Sequence, residues 1–225
     1  MAFKIENGVL VSYSGTDTEV VIPNGVTGIA EGAFSECEGV TSITIGKGVT
    51  SIDVDDTTFA QVALDSISVA DGNSVYEDKD SNVIIKKSTG ELIKGCNSST
   101  IPAGVKSIGE YAFYNCTAIT SLSLPTSLKT IDAWAFFMSG LTSITIPSSV
   151  ETLGEAAFGI NDSLTTVTVD SQNVVDLLTS KMYDNTGLLE FVQTLKIKSD
   201  LVLSDYLSGL SYTTEGNYKV FTTFA

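Results

Sequence analysis

The chain has 225 residues, of which 43% are hydrophobic and 17% are charged, so it can build a core and is not disordered by composition. Its 27 acidic and 12 basic residues give a net charge of −15, which argues against nucleic-acid binding and against adhesion to anionic lipid. The absence of histidine excludes Ser-His and Cys-His nucleophile pairs and every histidine-ligated metal site.

The N-terminal sequence MAFKIENGVLVSY has neither the basic region nor the apolar core of a signal peptide. No run of the chain approaches the ~18 apolar residues that a membrane span needs. We therefore expect no membrane insertion, and we interpret the chain either as cytoplasmic or as a form from which a leader has been removed.

Residues 1–19 are predicted to form an N-terminal hairpin cap. Two β-rich runs in this region flank Ser14-Gly15, which is a turn signal.

Residues 20–170 repeat one pattern. It is written IPNGVTGIAEGAF from Ile22, IPAGVKSIGEYAF from Ile101, LPTSLKTIDAWAF from Leu124 and IPSSVETLGEAAF from Ile146. A fifth copy from Ile45 is lengthened in its last part. Because a period of this length is typical of stacked repeats, we predict a solenoid.

Each repeat predicts two short strands and about one turn of helix. The run TSITI alternates, which places Ile43 and Ile45 on the inner face. The proline that follows in most copies ends the strand, a second strand comes next, and Gly-Glu-x-Ala-Phe is interpreted as the helical turn. One phenylalanine per copy is predicted to anchor that turn in the core: Phe34, Phe59, Phe113, Phe136 and Phe158.

Two regions depart from the repeat. An inserted hairpin is predicted at about residues 70–97, with strands on either side of Ser88-Thr89-Gly90. Residues 171–225 are interpreted as a degenerate last repeat and a C-terminal α/β cap. In this cap Val174, Leu177, Leu178 and Met182 share one helical face, Leu195 and Ile197 point inward, and a hairpin closes around Glu215-Gly216-Asn217.

The pattern LTSITIPxSVTSIGxxAFxxC resembles the BspA-type leucine-rich repeats of bacterial and protist surface antigens. The resemblance covers about residues 5–170 and includes the spacer SVADGNSVYEDKDSNVIIKK. It implies a β-rich, right-handed leucine-rich-repeat solenoid with parallel strand columns, short helical turns and inserted hairpins. It also implies a cell-surface or secreted protein that is not an enzyme.

Two acidic motifs resemble metal-binding or catalytic sites, and both are interpreted as structural. Asp78-x-Asp80-x-Asn82 has the first ligands of a calcium loop but lacks the later glycine and glutamate. Asp53, Asp55 and Asp56 are interpreted as a solvated helix start. The sequence indicates no catalytic carboxylate pair, metal site or cofactor site.

The cysteines and the glycosylation sequons are not interpreted as functional sites. Cys37 and Cys116 occupy one repeat position, which Val62, Ser139 and Asn161 fill in the other copies, and we interpret it as a small buried site. Three sequons begin at Asn97, Asn115 and Asn161, and such short matches also arise by chance.

A face of hydroxyl groups is predicted on the first strands of the repeats. Its two rows are Ser42, Ser121, Ser143 and Thr166, and Thr44, Ser123, Thr145 and Thr168. This face is interpreted either as β-propensity combined with solubility or as a shallow docking face for a protein or glycan.

The candidate ligand-binding residues are four aromatic side chains beside the conserved Ala-Phe of two copies. Tyr111 and Trp134 precede it, and Tyr114 and Phe137 follow it. Other copies carry Gly32, Ala156, Ser35 and Gly159 at these places, so the core does not require aromatic rings there. We predict that Tyr111 stacks on Trp134 and Tyr114 on Phe137, either as an interaction patch or as local core.

We therefore hypothesise a non-enzymatic, monomeric surface module that binds a protein or a glycan of a host or neighbouring cell. The alternatives are a scaffold or spacer without a ligand of its own, and a carboxylate-based carbohydrate-active enzyme. The sequence does not indicate which partner is bound.

Overall fold

A computed structural model of the chain describes residues 2–35, 37–55, 57–59, 64–178 and 186–222. The strands in this part of the chain are β1 (Phe3–Glu6), β2 (Val9–Tyr13), β3 (Glu19–Val21), β4 (Gly28–Ile29), β5 (Ser42–Ile45), β6 (Ser51–Ile52), β7 (Ser66–Val69), β8 (Tyr76–Glu77), β9 (Val83–Lys86), β10 (Glu91–Gly95), β11 (Ser107–Ile108), β12 (Thr130–Ile131), β13 (Ser143–Ile146), β14 (Thr152–Leu153), β15 (Thr166–Val169), β16 (Thr194–Lys198), β17 (Thr213–Glu215) and β18 (Tyr218–Phe221). The helices are α1 (Gln172–Leu177) and α2 (Asp205–Ser208).

The strands stack in two columns, as expected for a repeat solenoid. The first strands of the repeats form the sheets β3-β5-β7 and β13-β15-β16-β18-β17. The second strands form the sheets β1-β2-β4-β6 and β14-β12-β11-β10-β9-β8. Pairing between successive repeats is parallel, because each coil places the same strand beside its counterpart in the next coil.

Alternation of side chains along the first strands builds the core. In β5, Ile43 and Ile45 are fully buried, while Ser42 and Thr44 are only partly covered on the other face. The pairing of Ile43 with Ile67 and of Ile45 with Val69 continues the apolar inner face into β7. The predicted inward and outward faces of these strands are confirmed.

The N-terminal hairpin turns at a different place from the predicted one. Its strands β1 and β2 pair antiparallel across Asn7-Gly8, both of which have positive φ. Asn-Gly favours this tight turn because both central residues must adopt the left-handed conformation. The predicted turn at Ser14-Gly15 is wrong, since this segment instead leads into β3, which pairs parallel with β5 in a different sheet.

The predicted helical turn of each repeat is a series of β-turns. The Ala112 N–H donates to the Gly109 carbonyl at 3.2 Å, and the Tyr114 N–H donates to the Tyr111 carbonyl at 3.1 Å. Tyr111 and Asn115 have φ of +55° and +57°. A right-handed helix cannot continue through left-handed residues, so the chain curls sharply instead of extending as a helix.

The predicted phenylalanine anchors form a column of buried rings. Phe34 stacks on Phe59 with centroids 5.7 Å apart, and Phe136 lies between Phe113 and Phe158 at 5.0 and 5.2 Å. All five side chains are at most 4% exposed. The sequence prediction that these residues supply the core of each coil is confirmed.

The inserted segment separates the core into two parts. Strand β9 pairs antiparallel with β8 and β10, and β10 continues the column by parallel pairing with β11. Ile84 of β9 packs in the N-terminal core, whereas its neighbours Val83 and Ile85 pack in the C-terminal core. The inserted hairpin therefore lies between the two hydrophobic cores of the solenoid.

In the C-terminal region, α1, β16, α2 and the β17–β18 hairpin follow the last regular repeat. Leu195 and Ile197 are buried as predicted. Leu177 is 44% exposed instead of facing the core, because Val175 packs inward beside Val174. Met182, predicted on the same face, lies outside the described residues. The capping role of residues 171–225 stays a prediction.

Candidate functional site

The four predicted aromatic residues lie on consecutive coils, in the turn that follows the second strand. Tyr111 and Tyr114 come after β11, and Trp134 and Phe137 come after β12. Hydrogen bonds hold the two turns in register, because the Phe113 N–H donates to the Ala135 carbonyl at 2.7 Å. The repeat itself therefore aligns the four side chains.

The rings form two parallel stacks between the coils. Tyr111 and Trp134 are stacked at 5.3 Å with an interplanar angle of 7°, and Tyr114 and Phe137 at 6.0 Å and 6°. Tyr111 also meets Tyr114 edge to face at 5.8 Å. The predicted stacking is present, and we name these four residues the aromatic patch.

The aromatic patch is distinct from the buried ring column. Its four side chains are half-buried, whereas Phe113 and Phe136 of the same turns are completely buried. These four residues therefore stay partly accessible to solvent. Whether they bind a ligand remains a prediction, and the alternative, that the rings pack on each other as local core, stays open with it.

Two exposed aliphatic residues were missed by the sequence reasoning. Met138 directly follows Phe137 and is 40% exposed, and Ile160 is its equivalent in the next coil at 46%. Both have positive φ, at +55° and +50°. The sequence does contain a signal for them: two successive copies carry a large apolar residue two places after the buried phenylalanine, where the first and third copies have Glu36 and Asn115. The aromatic patch together with Met138 and Ile160 is named the turn strip.

A cleft opens where the second-strand column is interrupted. It lies between the edge of the sheet that ends in β6 and the sheet that begins with β8, and its volume is about 430 Å³. Its side chains combine an apolar part, a tyrosine, three carboxylates and one lysine: Ile52, Val54, Ile93, Tyr76, Glu91, Glu110, Asp132 and Lys86. We name it the acidic cleft.

Like charges face one another in the acidic cleft. Burial raises the pKa of the Asp132 carboxyl, and the nearby carboxylates of Glu91 and Glu110 raise it further. Glu110 directly precedes Tyr111 and Asp132 lies two residues before Trp134, so the same two turns supply both the cleft and the aromatic patch.

The predicted hydroxyl face is divided into two ladders. Ser42 pairs with Ser66 and the Thr44 hydroxyl bonds that of Ser68 at 3.0 Å, whereas Ser143 and Thr166 pair in the other sheet. The predicted continuity through Ser121 and Ser123 is wrong, because these two residues are not in a strand. Their neighbouring coil carries a turn at residues 97–98 instead of a strand, so no ladder partner is present on that side.

The possible calcium loop uses its side chains internally. The two carboxylate oxygens of Asp78 accept the N–H groups of Val69 at 2.7 Å and Asp80 at 3.1 Å. The amide oxygen of Asn82 accepts the Ser66 hydroxyl at 3.3 Å. These contacts support the structural reading. In the described part of the chain, no group of three or more Cys, Asp or Glu side chains is arranged to hold a metal ion.

Asp55, in the Asp53–Asp56 segment, caps the turn at residues 57–59. Asp55 accepts the N–H groups of Thr57 at 2.9 Å and Thr58 at 2.6 Å. Burial raises the pKa of the Asp55 carboxyl, but hydrogen bonds from Thr58 and Thr57 outweigh it and the pKa lies below its ordinary value. Asp56 lies outside the described residues.

The three cysteines are buried. The Cys37 Sγ donates to the Tyr13 carbonyl of the preceding coil at 3.2 Å, so the site is polar as well as small. Burial raises the pKa of the Cys116 thiol to about 11, which suppresses the reactive thiolate. Val62, at the same repeat position, lies outside the described residues.

Asn161, which occupies the same repeat position as Cys37 and Cys116, also has a structural role. Asn161 is 1% exposed, and its amide donates to the carbonyls of Phe136 and Phe158, each at 2.7 Å. Its sequon is therefore closed to glycosylation in the folded chain. Asn97 accepts the Ala118 N–H at 3.2 Å, and Asn115 has positive φ.

Neither described helix is long and apolar enough to cross a membrane.

The strand columns, the ring column and the repeated turns together define a leucine-rich-repeat solenoid. A family model described as "BspA type Leucine rich repeat region" matches residues 8–80 and 85–201 with six copies. The chain belongs to the BspA-type leucine-rich-repeat family, as the sequence pattern indicated.

Solved structures with the same fold are bacterial. A leucine-rich repeat protein from Eubacterium ventriosum is 21% identical, and the match covers 68% of this chain and 54% of that chain with a TM-score of 0.52. The pneumococcal vaccine antigen PcpA is 19% identical, with coverage of 72% and 52% and a TM-score of 0.50. The chain thus spans about half the length of these two proteins. No curated protein matches the chain significantly in sequence.

Proposed function

We propose that this chain is a non-enzymatic binding module of a cell-surface or secreted protein, and that its aromatic patch contacts a protein or glycan. The observation that carries the proposal is the pair of half-buried ring stacks Tyr111–Trp134 and Tyr114–Phe137. Contiguous aromatic side chains outside the core are typical of interaction sites, because they bury large areas at little cost in conformational entropy.

Family membership supports the surface location. The matched structures include a pneumococcal protein described as a vaccine antigen, and the sequence pattern resembles that of surface antigens. The absence of histidine and the internal use of Asp55 and Asp78 leave the repeated faces as the main feature, which favours binding over catalysis.

Removing two rings tests the proposal. Tyr111→Ala combined with Trp134→Ala is expected to reduce capture of ligands from glycan arrays and surface-protein extracts by at least about tenfold, because central aromatic side chains dominate binding energies. The melting temperature is expected to fall by only a few degrees, since the buried ring column is left intact.

The matched control is Phe191→Ala with Tyr212→Ala, which removes two exposed aromatic side chains outside the turn strip. Capture by this control is expected to equal that of the unmodified chain. Unchanged capture by the Tyr111/Trp134 variant, or a cooperative collapse of its fold, would contradict the proposal.

A spacer without its own ligand is the second candidate, favoured by the regular coil stacking alone. Such a spacer retains no ligand in these assays and stays monomeric in a light-scattering concentration series. A glycan-hydrolase activity in the intact chain would contradict both candidates.

A further inference from the structure

We infer that the turn strip and the acidic cleft together dock a segment of a partner protein that carries both apolar and basic side chains. The inference rests on the proposed function and selects a protein, not a glycan, as the partner. It is carried by three features: an apolar strip, carboxylates along one side of it, and a cavity of mixed character beside it.

The strip suits apolar side chains of a protein. Met138 directly follows Phe137 along the chain and Ile160 occupies the same position in the next coil, and these two apolar side chains are 40% and 46% exposed. The backbone N–H groups at this place are already used, because Met138 donates to the Gly159 carbonyl at 3.0 Å and Ile160 to a Glu190 carboxylate oxygen at 2.9 Å.

Carboxylates accompany the strip. Glu110 directly precedes Tyr111, Asp132 lies two residues before Trp134, and Glu155 directly precedes Ala156 in the next coil. Within the described part of the chain, none of these three carboxylates forms an ion pair with a lysine. Their charge is available to complement basic groups on a partner, and it repels an acidic one.

The lining of the acidic cleft is complementary to a lysine or arginine side chain. Such side chains have an apolar stem and a charged head. The cleft offers Ile52, Val54 and Ile93 to the stem and the carboxylates of Glu91 and Asp132 to the head. Lys86 also lines the cleft, so the carboxylates outnumber the basic groups without being alone.

The repulsion within the cleft strengthens the argument for a cation. Burial is the larger reason that the pKa of the half-buried Asp132 is raised, and the nearby negative charges of Glu91 and Glu110 raise it further. A bound ammonium or guanidinium group relieves this repulsion, whereas a neutral sugar leaves it in place.

The test uses Trp134 as its own reporter, since it is the only tryptophan of the chain. The probe is a short amphipathic peptide made of leucine and lysine, compared with the same peptide made of leucine and glutamate. We expect the leucine–lysine peptide to change the emission of Trp134 saturably and more weakly at high ionic strength. We expect the leucine–glutamate peptide to leave it unchanged.

Two variants separate the site from general acidity. Glu110→Gln with Asp132→Asn is expected to weaken peptide binding by about tenfold or more. The control Glu38→Gln with Asp71→Asn removes the same charge from exposed positions elsewhere and is expected to bind as the unmodified chain does. Fluorescence anisotropy of a labelled peptide gives the affinities of all three proteins, and their melting curves verify the fold.

Equal weakening in both double variants, an unchanged affinity of the Glu110/Asp132 variant, or no effect of the peptide on Trp134 would overturn the inference. If a glycan binds and needs Tyr111 and Trp134 while the peptide does not bind, the proposed function stands and this inference fails. If neither glycan nor protein is captured, the proposed function fails as well.

Discussion

Left-handed residues at fixed positions shape the turn of each repeat. Gly32, Tyr111, Trp134 and Ala156 occupy one such position with φ between +48° and +67°. Only glycine adopts this conformation without a steric cost, and for a β-branched residue it is unusual. Ile160, with φ of +50°, is therefore a strained residue that is also 46% exposed.

Ile160→Gly is expected to raise the free energy of unfolding by about 0.5–1 kcal/mol, because the backbone strain is relieved and little buried surface is lost. The opposite change is Gly32→Ala at φ of +67°, where an added Cβ has ordinary contacts at 3.5 Å and only the conformational cost remains. It is expected to lower the stability by about 1 kcal/mol. Urea denaturation measures both values, and a loss of stability in Ile160→Gly would contradict this account.

Lys94 fills a place in the core where the ring column is interrupted. Its side chain is 4% exposed, and its Nζ lies 5.7 Å from the centroid of the Phe59 ring. The next residue is Gly95, where a Cβ would lie 2.1 Å from the Phe113 ring. The inserted segment thus has no phenylalanine at this level of the ring column. Instead, Lys94 lies over the Phe59 ring, and Gly95, which has no side chain, leaves room for the Phe113 ring.

The buried amine has no carboxylate partner within ion-pair distance in the described part of the chain. Burial lowers the pKa of Lys94 below its ordinary value of 10.5, and the nearby thiols of Cys116 and Cys96 offset only part of this effect. As pH falls below 10.5, the unfolded chain takes up a proton at Lys94 that the folded chain resists. Stability is therefore lost as pH falls from 10.5 toward the folded pKa.

Lys94→Met is expected to stabilise the chain at pH 7 by about 1 kcal/mol or more, because methionine fills the space without a buried charge. The gain should shrink as pH rises through 10.5, because above that value the lysine is neutral in both states. Thermal melts at several pH values measure the gain, with Lys47→Met at an exposed site as the control. A gain that does not vary with pH would show that packing, not charge, sets the difference.

At the scale of elements, strand β9 differs from the strands of the repeats because both of its faces are buried. Strands of the repeats bury one face, but Val83, Ile84 and Ile85 are all at most 1% exposed. The antiparallel β8–β9–β10 unit lies between two cores, so both faces of its central strand are covered.

Neighbouring residues of β9 are expected to report on different halves of the molecule. Ile84→Ala and Ile85→Ala should each cost about 2–5 kcal/mol, because both side chains are fully buried. Hydrogen exchange should accelerate first around β4 and β5 in Ile84→Ala, and around β11 and β12 in Ile85→Ala. The two variants serve as controls for each other. The same exchange pattern in both would contradict the division into two cores.

The sequence predicted the hairpin strands β9 and β10 and their Ser-Thr-Gly turn, because turn chemistry is local. It did not predict that β9 is buried on both sides, since the run VIIK is too short to reveal which elements cover it. The prediction of a turn at Ser14-Gly15 is wrong for a different reason: Asn7-Gly8 is the stronger local signal, because both of its residues readily adopt the left-handed conformation.

At the scale of the whole molecule, the repeat made most of the fold predictable. Residues such as Ile43, Phe113 and Phe136 recur because every coil must bury the same side chain against the next, and periodicity alone reveals them. Lys94 was not predictable, because it lies where the period breaks and its partners come from two different coils. The stacking of Tyr111 on Trp134 followed from the alignment of copies, whereas the cleft did not, since it depends on how the insertion ends one sheet and begins another.

The left-handed turn position also makes the solenoid a display scaffold. One backbone conformation accepts glycine, tyrosine, tryptophan and alanine at residues 32, 111, 134 and 156, while the buried phenylalanine beside each stays the same. The outer side chains can therefore be exchanged from coil to coil without redesign of the interior. Diversifying these positions in a library would change the side chains that the turn face displays while the buried phenylalanine column stays the same.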